Sequence, residues 1–194
     1  MNTGKSTQKM MKIALLGTAG AVLMLLQYPF PGAPFLKFEI SNVPVLIGGF
    51  ALGPFAGLSV LLLKNLLFIL LRFSADELVG VPMNTIASGI FVLVSAYVYL
   101  LQKTMKGAFI ALSAGIIAMT VFMIPINYFI VPLYMHWLYP QNMAASGLSL
   151  LRLIIFSVIP FNLVQGVING LLTFLIYKRV SSFIRFGEEK VTAI

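Results

Sequence analysis

Apolar runs of about 20 residues or more recur along this chain, and that repetition restricts its fold more than any other feature. A helix rising 1.5 Å per residue crosses a hydrocarbon core about 30 Å thick in such a run. Of the 194 residues, 60% are hydrophobic and only 9% are charged. A typical globular chain is about 25% charged, so too few charges remain here to cover a soluble surface. Sustained alternation in ~10-residue units, the mark of barrel strands, is missing. The sequence therefore predicts an all-α integral membrane protein lying in the lipid bilayer.

The breaks between runs predict a single domain, residues 1–194, of six transmembrane helices. These cover about 10–26, 41–53, 54–73, 80–101, 107–135 and 149–182. "YPFPGAP" ends the first, and Gly53-Pro54 turns the second into the third, since proline disfavours helical geometry in the residue before it. The second is short for a full crossing. With a cytoplasmic N-terminus, Lys5, Lys9, Lys12, Lys103, Lys106, Lys178, Arg179, Arg185 and Lys190 all fall inside. The outer segments keep Lys37, Arg72 and Arg152, balanced by Glu39, Asp76 and Glu77. By the positive-inside rule both termini are cytoplasmic, in a cell membrane crossed several times. Loops 27–40, 73–80 and 136–148 then face outward, with Tyr134, Trp137 and Tyr139 suited to the outer aromatic belt.

Other classes fall away. Without cysteine there is neither a disulfide framework nor a thiol nucleophile. The net charge of +8 comes from residues flanking apolar runs, which is topology rather than a nucleic-acid surface. Gly4-Lys5-Ser6 imitates the end of a phosphate loop but lacks its first glycine and preceding strand. Ala19-Gly20-Ala21 resembles a cleavage site, yet hydrophobicity continues to Leu26, so the first helix is read as uncleaved. The lone histidine, His136, stands beside Trp137 in an outer loop, an ordinary interfacial place. No catalytic residue, metal site or resident cofactor is expected. No internal repeat is visible.

Polar residues inside the apolar runs carry the remaining information, because an amide in a membrane helix must find a partner or cost free energy. In "IPFNLVQGVING", Asn162, Gln165 and Asn169 share one helical face, and Pro160 frees a carbonyl nearby. Asn127 sits between Pro125 and Pro132, Asn84 precedes Ser88 by one turn, and the third helix adds Lys64 and Asn65. Asn84, Asn127 and Asn162 fall in the outward halves of three helices. Amides offer donor and acceptor together, so such a cluster suits a neutral heterocycle offering both. Interhelical bonding is the plainer alternative, worth about 0.6 kcal/mol per bond. Lys64 could reach a ligand hydroxyl, snorkel, or pair with Glu39. On the first helix, Ala14-x-x-x-Thr18 and Gly17-x-x-x-Ala21 present small residues at one-turn spacing, for internal packing or for docking another protein.

The series "FLKFEISNVPVLIGG", "GPFAG", "LLKNLL", "PMNTIASG", "INYFIVPLY" and "IPFNLVQG" resembles the riboflavin-specific S component of energy-coupling factor (ECF) transporters. The likeness runs in order from about residue 12 to 185. It implies a six-helix protein that captures riboflavin from outside under a loop joining helices 1 and 2. Its partners would be a transmembrane T component and two cytosolic ATPases, with no enzyme activity of its own. By the same resemblance, Asn127 and Asn162 contact the polar edge of the isoalloxazine ring, and Asn84 is a further polar position. Glu39, Asn42, Lys64 and Gln165 complete the expected substrate-binding set. Gln165 stands where some relatives have lysine and Asn42 where aspartate is usual; losing those charges bears on tolerance for a phosphorylated flavin such as FMN. Ala14, Gly17, Thr18 and Ala21 map to the docking surface for the T component.

Overall fold

The computed structural model describes residues 3–31, 33–138 and 150–189. α1 spans Thr3–Met24 and is followed by a hairpin of β1, Tyr28–Phe30, and β2, Ala33–Phe38. Next come α2, Asn42–Leu52, α3, Pro54–Leu71, α4, Glu77–Leu101, and α5, Met105–Leu138. α6, Leu150–Leu153, passes through a π-helical turn, Ile154–Val158, into α7, Ile159–Glu189.

The helices stand in the expected order. Among the described residues, four stretches are long and apolar enough to cross a membrane: Pro54–Leu71, Glu77–Leu101, Met105–Tyr134 and Leu150–Tyr177. Their outward residues, among them Leu70, Phe122, Phe156 and Leu171, are exposed large hydrophobics, as lipid-facing positions require. α1 begins at Thr3 rather than near residue 10. Hydropathy marks only the stretch that meets lipid, whereas the helix continues as long as its backbone bonds are made. α5 likewise runs on to Leu138, which puts exposed His136 and Trp137 in its last turns instead of a loop.

α2 is the exception in length. Its eleven residues rise about 17 Å, roughly half a hydrocarbon core. Every residue from Asn42 to Phe50 is buried, because α1, α3, α4 and α7 all pack around it. A helix apolar all round belongs in a core, and an enclosed one need not span. At Gly53 the chain turns with φ 101°, a region that favours glycine, and Pro54 starts α3 at once. The two helices then touch backbone to backbone: a Cβ on Gly57 would lie 2.7 Å from the Gly49 Cα.

The π turn has a cause in the sequence. Pro160 has no N–H for the carbonyl of Phe156, and its ring would clash there. The chain widens by one residue, and the Ile159 N–H bonds the Ile154 carbonyl.

Candidate ligand-binding cavity

One end of the bundle encloses a cavity of about 110 Å³. By the measure on which a single water needs about 10–15 Å³, this is room for a polyatomic ligand. Its wall is apolar, with four methionines, Met24, Met83, Met119 and Met123, together with Ile130, Val131 and Phe161. Methionine is soft and polarizable and packs favourably on aromatic surfaces.

The hairpin roofs this cavity and is held at three places. Phe30 and Phe38 meet each other and Phe161 of α7, with ring centroids 5.2 to 5.7 Å apart. The Lys37 ammonium lies 2.7 Å from Glu77 Oε1, and Gln27 Nε2 donates to the same oxygen at 2.9 Å. Just past β2, the backbone of Glu39 is clamped by α7. Its N–H donates to Gln165 Oε1 at 3.3 Å, and its carbonyl accepts from Gln165 Nε2 and Asn169 Nδ2, each at 2.8 Å.

Beneath the hairpin lies a buried ionic knot. Lys64, 0% exposed, donates to Ser41 Oγ at 2.7 Å, Asn42 Oδ1 at 3.1 Å and Asn84 Oδ1 at 3.2 Å. Its ammonium is 3.5 Å from Glu39 Oε1, which also accepts from Asn84 Nδ2 at 2.6 Å. Gly20 of α1 makes room for the lysine stem: a Cβ there would sit 3.0 Å from Lys64 Cγ. Lys64 thus pairs with Glu39, one of the arrangements open to it by sequence. Glu39 Oε2, by contrast, is buried with no hydrogen-bond partner.

Asn127 and Asn162 face the same cavity from α5 and α7, 2% and 3% exposed. Each donates one N–H to a carbonyl four residues back, Asn127 to Met123 within α5 and Asn162 to Val158 at the end of the π turn, both at 2.8 Å. That bond fixes the side chain against the helix and leaves the remaining amide groups for the cavity. Among the expected binding residues, Glu39, Asn42, Asn84, Asn127, Asn162 and Gln165 line the cavity, while Lys64 stands behind it. Gln165 differs in role from Asn127, since both ends of its amide are spent on Glu39.

Other lining residues escaped the sequence reading as site members: Gln27, Lys37, Asp76, Glu77, Tyr134 and Phe161. Tyr134 is corrected outright. It is 7% exposed and bonds Asp76 Oδ1 at 3.5 Å, so it faces the interior and not an aromatic belt. Trp137 is 74% exposed, and Tyr139 lies outside the described residues. The small residues of α1 divide. Ala14 and Thr18 are exposed, whereas Gly17 and Ala21 are buried, a Cβ on Gly17 meeting Leu63 of α3 at 2.8 Å. Gly17 and Ala21 thus serve internal packing.

A helical bundle embedded in a membrane, with a roofed, amide-bearing cavity at one end, defines a small-molecule-binding membrane component. The family of ECF transporter substrate-specific components matches residues 8–177. The riboflavin transporter FmnP of Bacillus subtilis is 33% identical over 180 residues, covering 91% of this chain and 94% of that protein. The riboflavin transporter RibU of Staphylococcus aureus is 31% identical over 183 residues, covering 93% and 94%. RibU of Streptococcus thermophilus is 33% identical over 182 residues, covering 92% and 85%. A solved S component of a bacterial ECF transporter superposes with TM-score 0.77 at 30% identity, over 92% of this chain and 98% of that one. The chain belongs to the substrate-specific, or S, components of ECF transporters. It is a multi-pass bacterial membrane protein and a transport component, not an enzyme.

Proposed function

We propose that this chain binds riboflavin as the S component of an ECF transporter and delivers it for uptake. The observation that carries the reading is the cavity itself: Asn127 from α5 and Asn162 from α7 enter one roofed space walled by methionines. A flavin is a flat tricycle whose one edge alternates carbonyl acceptors with an N–H donor. Carboxamides match that edge, and thioether and aliphatic side chains cover the faces. Nanomolar capture needs about 12 kcal/mol, and amide hydrogen bonds contribute only about 1 kcal/mol each. Burial of the tricycle therefore supplies most of the affinity, and the amides select. The unpartnered Glu39 Oε2 is an acceptor for a ligand hydroxyl.

The hairpin end faces outward, because the lysines of α1 and the Lys103–Lys106 turn cluster at the other. With no complete nucleotide-binding motif in the chain, the energy for translocation comes from partners, a T component and two cytosolic ATPases. Ala14 and Thr18, exposed on α1, form the face that the T component meets. Uptake of radiolabelled riboflavin by cells co-producing the chain with these partners tests the proposal. Accumulation that stops when the ATPases are inactivated is expected; no accumulation above cells lacking the chain would overturn it.

A further inference from the structure

We infer that the α4–α5 turn, with the outward stripe of α5 beside it, binds an anionic phospholipid in the leaflet opposite the hairpin. Lys103 and Lys106 take the headgroup phosphate, and an acyl chain lies along Ile110 and Ile117. The inference is independent of what the cavity holds.

The turn is held in one shape. The Thr104 N–H donates to the Gln102 carbonyl at 2.8 Å, the Gly107 N–H to Thr104 Oγ1 at 3.0 Å and the Ala108 N–H to the Thr104 carbonyl at 2.8 Å. A Cβ at Gly107 would run into the Gln102 carbonyl, so only glycine closes the turn this tightly. Lys103 and Lys106 are both exposed on it. Among the described residues neither has an ion-pair partner, whereas Lys37 and Lys64 are held by Glu77 and Glu39. The carboxylates with described side chains, Glu39, Asp76 and Glu77, all stand at the hairpin end. Nothing described at the turn neutralises its two ammoniums.

Next to the turn, α5 carries a matching apolar track. Lys106, Ile110, Ile117 and Val121 fall within about 60° of one another around the helix. Ile110, Ile117 and Val121 are exposed large hydrophobics. From Lys106 to Ile117 the helix rises about 16 Å, close to one leaflet of a core about 30 Å thick. A lysine at the end of such a track lays its stem along the apolar surface and sets its ammonium among the headgroups. A zwitterionic headgroup brings its own cation to its phosphate and gains little from two more. A headgroup of net negative charge gains about fivefold in affinity for each lysine near the surface. The track is separate from the α1 face assigned to a partner, because α5 packs on α4 and α7 while α1 packs on α2 and α3.

Native mass spectrometry of the full chain, delipidated in detergent and offered equal amounts of phosphatidylglycerol and phosphatidylcholine, tests this. Wild type should carry at least about fivefold more of the phosphatidylglycerol adduct. Lys103→Gln with Lys106→Gln should bring that ratio to about one, with Tm unchanged because both side chains are exposed. Lys9→Gln with Lys12→Gln removes as much charge from α1 and should leave the ratio within about twofold of wild type. Excess glycerol 3-phosphate should not displace the lipid, since it lacks the chain that the α5 track holds. Equal adducts in wild type, a ratio unmoved by the turn variant, an equal fall in both variants, or displacement by glycerol 3-phosphate overturns the inference.

Discussion

Asn84 and Glu39 are joined at 2.6 Å, and the carboxylate oxygen they share is also the one facing the Lys64 ammonium at 3.5 Å. Three elements meet there: α4 supplies the amide, α3 the lysine, and the end of the hairpin the carboxylate. The floor of the cavity and the hinge of its roof are therefore one structure, and disturbing either should move the other.

Lys64→Met tests that coupling. It leaves Glu39 buried without its cation, at a cost on the order of 3–5 kcal/mol. Thermal unfolding in detergent should show a large drop in Tm, and the double variant Lys64→Met/Glu39→Gln should recover part of it. An unchanged Tm in the single variant would contradict the coupling.

Asn127→Leu and Asn162→Leu address the ligand more directly. Each original amide spends one N–H on a backbone carbonyl four residues back, a bond that can be lost without unfolding. Either change should weaken flavin affinity at least about tenfold with expression intact, because a missing polar partner leaves the ring edge unsatisfied. Wild-type affinity in both variants would remove these side chains from the site.

The roof is tested at its clamp. Gln165→Leu orphans the Glu39 N–H and removes one of two donors to its carbonyl, about 1–3 kcal/mol for the buried donor. Flavin should dissociate at least about tenfold faster, and protease should cut more readily within Tyr28–Phe38. Unaltered dissociation would show that the aromatic contact with Phe161 and the Lys37–Glu77 pair hold the hairpin by themselves.

On α1 the structure separates two roles that spacing alone leaves merged. Ala14→Leu with Thr18→Leu alters an exposed face and should abolish uptake while sparing flavin binding. Gly17→Leu instead drives a side chain into Leu63 and should lower Tm, and with it everything else. Intact uptake in the first variant would place the partner elsewhere.

The helices were legible because burial in lipid writes itself as length and hydropathy, and Gly53-Pro54 and Pro160 mark their own turns. The amides were legible for the opposite reason, as polar groups where none is affordable without a partner. The hairpin was not: "YPFPGAPFLKF" has three prolines and short apolar pieces, and its placement depends on contacts with Phe161 and Glu77 that are distant in sequence. Tyr134 was misplaced because an aromatic near a membrane surface suits the belt and the cavity equally, and only its bond to Asp76 decides. Gln165 shared a face with Asn162, yet that face meets two different neighbours, the ligand space and the Glu39 backbone.

The most direct test is equilibrium titration of the detergent-solubilised wild-type protein with riboflavin, with thiamine as the control. One flavin per chain, its fluorescence quenched at nanomolar concentration and indifferent to thiamine, is the predicted result. A protein that leaves riboflavin fluorescence untouched, or that binds thiamine in its place, would contradict the account.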